Sequence, residues 1–221
     1  MSQDSKAGSE LTLHTFFNSS AAYRVRIAMG LKKLDWKHVG VNIRTGIQRG
    51  PDYLAVNPTG LVPTLEHDGT RLTQSLAIID YLDRLQPEPL LVPKDAGRDR
   101  VLEISLLIAC DIHPVNNLRI LKYLTGKLGV SEELKNEWMA HWIADGFDAI
   151  EALLPDSEGW CVGDTPTLAD CCLVPQVFNA QRMPGFDLSK YPRIERINAF
   201  CKRHPAFAAA APGVQPDFVS P

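Results

Sequence analysis

Asn18-Ser19-Ser20-Ala21-Ala22-Tyr23-Arg24-Val25-Arg26-Ile27-Ala28 is the stretch on which the reading of this chain turns. Upstream, the apolar run from Leu11 to Phe17 alternates with Thr12, His14 and Thr15 as a strand does. Downstream, Tyr23, Ile27 and Leu31 recur at helical spacing. The two serines therefore stand at a strand-to-helix junction, where a hydroxyl caps the helix by accepting a free backbone N–H. The same junction suits an anion, because free N–H groups and a helix dipole worth about half a positive charge favour negative charge just ahead of the first turn. A serine hydroxyl beside that spot can donate a hydrogen bond to a thiolate. All five cysteines (Cys110, Cys161, Cys171, Cys172 and Cys201) lie downstream of Gln86. Any sulfur handled at the junction must therefore arrive with a ligand.

The 221 residues, 45% hydrophobic and 22% charged with a net charge of −3, bury a sizeable core as one large or two small domains. That charge balance, with no Lys/Arg run, argues against nucleic acid and against a membrane surface as partners. Cysteines without CxxC spacing or a Cys/His cluster argue against a disulfide framework and against a metal site, and fit a reducing cytoplasm. Residues 1–10 lack an apolar core and read as a polar tail rather than a signal peptide. No run is long enough to span a bilayer.

Lys37 to Asn42 reads as a second strand, completing a βαβ unit, and residues 43–57 read as irregular with a short helix. Pro63 stands where a third strand should begin, which places it at an edge, a strand start or a bulge, with a cis bond allowed. Asp68-Gly69 between two short extended runs is a hairpin signal. From Ser75 a helical pattern runs until Gln86-Pro87 stops it, so residues 11–86 form a small α/β domain with helices against a mixed sheet. Residues 87–97 are rich in proline and read as a linker. Residues 98–221 are expected to be all helical: 98 to about 127, 131 to about 154, 167 to about 182 with a kink at Pro175, and 192 to about 203, followed by a tail that forms a short turn or frays.

SSAAYRVRIA, NPTGLVPTL, TQSLAIIDYL, GDTPTLADCCLVPQV and the closing QPD together resemble the zeta class of the cytosolic glutathione transferases, over nearly the whole length from Leu11 to Asp217. The resemblance implies a thioredoxin-like N-terminal domain followed by an all-α C-terminal domain. It implies a glutathione-dependent cis–trans isomerase of a maleyl-type keto diacid, maleylacetoacetate or maleylpyruvate, in aromatic catabolism, working as a cytoplasmic homodimer on a small-molecule substrate. The rival expectations are a general glutathione transferase or peroxidase, and a non-catalytic glutathione-binding module. Ala21 stands where the class signature carries cysteine, Asn18 where relatives often carry arginine, and His113 and Asn116 where animal relatives carry glutamine.

The resemblance assigns the thiolate contact to Ser19 or Ser20 and favours Ser19. It puts the γ-glutamyl carboxylate at Gln74 and Ser75, a tripeptide backbone contact at Val62 and the glycyl end near Gln48. Arg24 and Arg26 lie two apart on one helix and point in different directions, so one is expected to face solvent or serve the structure, and Arg24 is the one carried to the glutathione site. His113, Asn117 and Arg119, in a polar break at Pro114, become contacts from the helical half. Arg119 and Arg182 become the groups that hold the diacid carboxylates. Gln74 and Ser75 are equally expected to cap their helix. His14, His38 and His67 are read as ordinary strand and loop residues, and Cys171-Cys172 as buried and inert.

Overall fold

The computed structural model describes residues 10–220. Thr12–Thr15 (β1) pairs in parallel with Lys37–Gly40 (β2), and Ser20–Leu31 (α1) connects them. Pro51–Val56 (α2) follows a 3-10 turn at Ile47–Arg49, and Thr64–His67 (β3) pairs antiparallel with β1 and with Thr70–Thr73 (β4). The strand order is therefore β2-β1-β3-β4. Asp68 and Gly69 turn the last hairpin with φ of 49° and 73°, the left-handed pair that a two-residue turn between twisted strands requires. Pro63, after a cis peptide bond, sits just ahead of a paired register that begins at Thr64. Its missing N–H thus costs the ladder nothing, although β3 lies inside the sheet.

Ser75–Leu85 (α3) closes this half. The proline-rich stretch that follows is tied down rather than free. Leu91 is fully buried, and the Asp83 carboxylate accepts the Leu91 and Val92 N–H groups at 3.0 and 2.9 Å. Lys32, buried with it, meets the same carboxylate at 2.7 Å and donates to the carbonyls of Gln86 and Pro89.

The helical half begins with Arg98–Leu106 (α4), widens into a π-helical turn at Leu107–Ile112, and restarts only at Leu118–Gly126 (α5). One continuous helical pattern to about residue 127 is therefore corrected to two helices and a break. Pro114 brings no N–H, and Asn117 starts the new helix by accepting the Arg119 N–H on its side chain at 3.2 Å. Glu132–Leu153 (α6) starts as expected from Ser131, whose Oγ accepts the Leu134 N–H. Leu168–Gln181 (α7) is buried along most of its length and runs through Pro175 as one helix, the central helix of the core. Its start is fixed by Asp170, whose buried carboxylate accepts the N–H groups of Thr167 and Cys161 at 2.7 and 2.8 Å and the Thr167 hydroxyl at 2.9 Å. Cys171 and Cys172 are fully buried, and burial pushes both thiols up, away from reactivity.

Pro192–Lys202 (α8) and Pro205–Ala210 (α9) follow, and the segment after them forms a 3-10 turn at Pro212–Val214 and packs back on the first half. Phe207 is fully buried, Phe218 lies edge-on to Phe17 with ring centres 5.1 Å apart, and the Asp217 carboxylate accepts the Phe17 N–H at 2.9 Å. His38 is 3.0 Å from the other Asp217 oxygen. In the middle, α1 packs against α3 on one side and α7 and α9 on the other, so Val25, Ile27, Ile78, Leu82, Leu173 and Phe207 share one continuous core. Ser19, the cap of α1, and Ser20, its first residue, are thus carried by a helix buried along most of its length.

Candidate functional site

A cleft of about 590 Å³ opens at the N-terminus of α1. Asn18, Ser19 and Ser20 form its floor; Ile43, Arg44, Gln48 and Val62 come from the loops after β2 and before β3; His113, Asn117, Arg119, Asn179 and Arg182 come from the helical half. Its charge is one-sided. Six cations, Arg44, Arg49, Arg119, Lys122, Lys135 and Arg182, line it, and no Asp or Glu does. Of these only Lys135 pairs with a carboxylate, Glu132, among the described residues. In a chain of net charge −3 that is a local inversion, which draws in an anionic ligand.

Ser19 is the N-cap of α1, and its Oγ accepts the Ala22 N–H at 3.2 Å. Capping and donation are compatible, because the bond uses a lone pair and leaves the hydroxyl proton free. Ser20, in the first turn, is 6% exposed, and its Oγ lies 3.1 Å from His113 Nδ1. Burial first, then the Arg24 and Arg119 charges, push the His113 pKa down to about 3, so the ring is neutral at physiological pH.

Of the two roles expected for one of Arg24 and Arg26, facing solvent or serving the structure, the second holds: they are 2% and 0% exposed. Arg26 holds the junction from behind. Its Nη1 donates to Thr15 Oγ1 at 3.0 Å and the Phe16 carbonyl at 3.3 Å, its Nη2 to the Phe17 carbonyl at 3.0 Å, and its Nε to Ala210 at 3.2 Å. Burial lowers its pKa to about 10, which still leaves it charged at neutrality. A structural role for one of the pair was expected; its four partners, drawn from β1, the junction and α9, were not readable from spacing on one helix. Arg24 does not line the cleft; its Nη1 donates to Ser75 Oγ at 3.2 Å, while Nε and Nη2 are buried without a partner.

Gln74 and Ser75 stand at the start of α3 and also lie outside the cleft walls. Their expected capping is not seen: no side chain caps α3, and the Ser75 hydroxyl is engaged by Arg24 instead. Gln74 has φ of 70°, a left-handed backbone that a side chain rarely adopts and that collects at binding sites. The first-turn N–H groups of α3 thus have no side-chain acceptor, and the buried guanidinium bonded to Ser75 keeps idle donors. Both features suit a carboxylate.

Gln48 lines the cleft, with its Nε2 3.4 Å from the Ile43 carbonyl and its Oε1 buried without a partner. Val62 is 9% exposed and precedes the paired register of β3, so its backbone lies outside the sheet ladder. Asn117 is occupied within the protein, capping α5 through Oδ1 and placing Nδ2 3.5 Å from His113 Nε2. Arg119 is exposed on the cleft wall. Arg182 ends α7, stacks over Phe178 at 4.6 Å, and donates to Asn179 at 2.9 Å and to Asn18 across the cleft. Burial and then the Arg44 charge lower its pKa, so two guanidiniums feel each other at the mouth of the site. Arg44, missed from sequence because a lone loop arginine carries no pattern, lies 5.1 Å over the Phe17 ring.

The family description Glutathione S-transferase, N-terminal domain, matches residues 18–85, and Glutathione S-transferase, C-terminal domain, matches residues 133–209. A probable maleylacetoacetate isomerase of Vibrio cholerae is 48% identical over 211 residues, covering 94% of this chain and 98% of its own. The holo structure of a maleyl pyruvate isomerase, a bacterial glutathione S-transferase in the zeta class, superimposes with a TM-score of 0.91 at 43% identity, over 94% of this chain and 100% of that one. A maleylacetoacetate isomerase from Methylobacterium extorquens AM1, solved with bound malonate and glutathione, gives a TM-score of 0.89 at 34% identity, over 95% and 100%. A four-stranded sheet followed by an all-helical half, matched along nearly its whole length, places the protein: the chain belongs to the glutathione S-transferase family.

Proposed function

We propose that this protein is a glutathione-dependent cis–trans isomerase of a maleyl-type keto diacid, maleylacetoacetate or maleylpyruvate. The observation that carries the reading is the cleft itself, where six cations and no carboxylate surround two serine hydroxyls at a helix N-terminus. An apolar acceptor, the substrate of a general transferase, has no use for that field.

The residues present fit glutathione. The uncapped start of α3 with Arg24 beneath Ser75 suits the γ-glutamyl carboxylate, the unladdered backbone of Val62 suits an added strand, and the unpartnered Gln48 amide oxygen suits an N–H donor. When bound, glutathione supplies a thiolate that adds to the cis double bond and leaves after rotation, so it is regenerated. The protein's part is to ionise the thiol and hold the diacid. A thiol of pKa about 8.5 is only a few per cent ionised at pH 7, and lowering it by about two units takes roughly 2.7 kcal/mol. A serine hydroxyl bonded to the thiolate contributes about 1.5–3 kcal/mol and the α1 dipole about 0.3–1 more, which suffices without a protein base. Arg182, Arg119 and Arg44 hold the carboxylates and the charge that develops on the keto oxygen.

Residues 11–86 are read as the glutathione-binding domain and 98–221 as the helical domain, in a cytoplasmic homodimer of aromatic catabolism; five free cysteines suit that compartment. Isomerisation of maleylacetoacetate and of maleylpyruvate, followed by absorbance with and without glutathione, tests the reading. Turnover of neither diacid, with robust conjugation of an uncharged electrophile, overturns it in favour of a general transferase.

A further inference from the structure

We infer that His113 is a positioning residue: it fixes the proton of the Ser20 hydroxyl toward the cleft and makes Ser20 a standing hydrogen-bond donor to a bound thiolate. The inference rests on the glutathione reading above.

Three contacts determine the direction of every bond in the chain. Asn117 Oδ1 accepts the Arg119 N–H as the cap of α5, which leaves Asn117 Nδ2, a donor only, 3.5 Å from His113 Nε2. Nε2 must then be the acceptor of the ring. A neutral imidazole with an unprotonated Nε2 carries its proton on Nδ1, and Nδ1 lies 3.1 Å from Ser20 Oγ. Nδ1–H donates, Ser20 Oγ accepts, and the serine's own proton is left for the cleft that Ser20 lines. The opposite order would set two donors against each other at Nε2. Arg24 and Arg119, the charges that bear on the ring, both disfavour the doubly protonated form. The π-helical turn at Leu107–Ile112 delivers the ring: the last residue of that wide turn is followed directly by His113, whose N–H bonds back to the Ile108 carbonyl at 2.9 Å.

This separates the two serines. Ser19 spends a lone pair on the helix cap and keeps a hydroxyl that rotates freely, whereas Ser20 has its rotor set before the ligand arrives. A preset donor avoids the reorganisation that a free one requires at the moment of reaction.

The tautomer is readable in the ligand-free protein. Imidazole nitrogen shifts of 15N-labelled protein should show His113 as the Nδ1–H form, and an Nε2–H form overturns the inference. Ultraviolet titration of the thiolate of bound glutathione supplies the second test. In His113→Leu the thiol pKa should rise by about one unit, a tenfold loss of thiolate near neutrality, with glutathione Kd within about twofold. His113→Gln, whose amide can still donate to Ser20, should recover most of the shift. Ser20→Ala should match His113→Leu, and the double variant should be no worse than either alone. Additive shifts, or a Kd change with an unmoved thiol pKa, overturn the role. No diacid enters these measurements, so they judge His113 even if isomerase activity itself is not found.

Discussion

The amide oxygen of Asn18 accepts a hydrogen bond from the guanidinium of Arg182, joining the loop before α1 to the end of α7 across the mouth of the cleft. Arg182 is thereby aimed by two asparagines, Asn18 and Asn179, neither of which neutralises it. Its charge stays available. Arg182→Ala should lower kcat/KM for the diacid by roughly 2–3 kcal/mol, the scale of a lost charge-assisted contact, while the glutathione Kd and turnover of an uncharged electrophile hardly move. Asn18→Ala, which frees the guanidinium without removing it, should cost less than tenfold. Equal losses on charged and uncharged substrates would return Arg182 to a purely structural role.

Ser19→Ala removes both a cap and a hydroxyl, and the two effects are separable. The lost cap should cost about 1 kcal/mol of unfolding free energy, read from urea melts. The lost donor should cut kcat/KM about 100-fold at unchanged glutathione affinity. Ser19→Asp restores the cap without a donor proton at neutral pH. Recovery of stability without recovery of rate is the expected pattern, and recovery of both would shift the chemistry to Ser20 and the backbone.

His113 also leaves a mark on stability. Its folded pKa of about 3 lies below the ordinary histidine value of 6.5, so between those limits the unfolded chain binds a proton that the native state refuses. The sign follows from linkage: stability falls as pH drops through that window, by up to about 1.4 kcal/mol per pH unit from this group. His113→Gln should flatten that slope between pH 6 and 4 in denaturation curves. An identical slope in the variant would mean that the ring is protonated in the native state.

Gly146, in the middle of α6, faces the π-helical turn so closely that a Cβ would lie 2.3 Å from two carbons of Ile112. Gly146→Ala should destabilise by about 1–3 kcal/mol through overpacking, despite alanine's better helix propensity. Because Ile112 adjoins His113, the glutathione-dependent rate should fall with it. Pairing the change with Ile112→Val should recover a large part of both; no recovery would uncouple the packing contact from the site.

The fold was largely legible because its signals are local. Alternation at Leu11 to Phe17, the Asp68-Gly69 turn, the Ser131 and Thr167 starts and the Pro87 stop each report on a few neighbouring residues, and each falls where the structure has it within a residue or two. Among the residues singled out from sequence, Ser19, Ser20, Gln48 and Val62 line the cleft. What stayed hidden depends on contacts distant in the chain. That Arg24 and Arg26 are both buried follows from α7 and α9 covering α1, and spacing on a single helix cannot reveal it. Capping chemistry at Gln74 and Ser75 gave way to Arg24, a partner 51 residues away from Ser75. The break at His113 to Asn117 is visible in the sequence as a proline among polar groups, but the π-turn that feeds it is not.

The final stretch of the chain carries a liability that neither half of the fold suggests. Asp217 holds the Phe17 N–H, Phe218 covers the Phe17 ring, and Phe17 immediately precedes Asn18 and the two serines. Neither Asp217 nor Phe218 lines the cleft, yet a change at either would loosen the strand end that carries the two serines, so the site has a weak point 200 residues away from it in the chain.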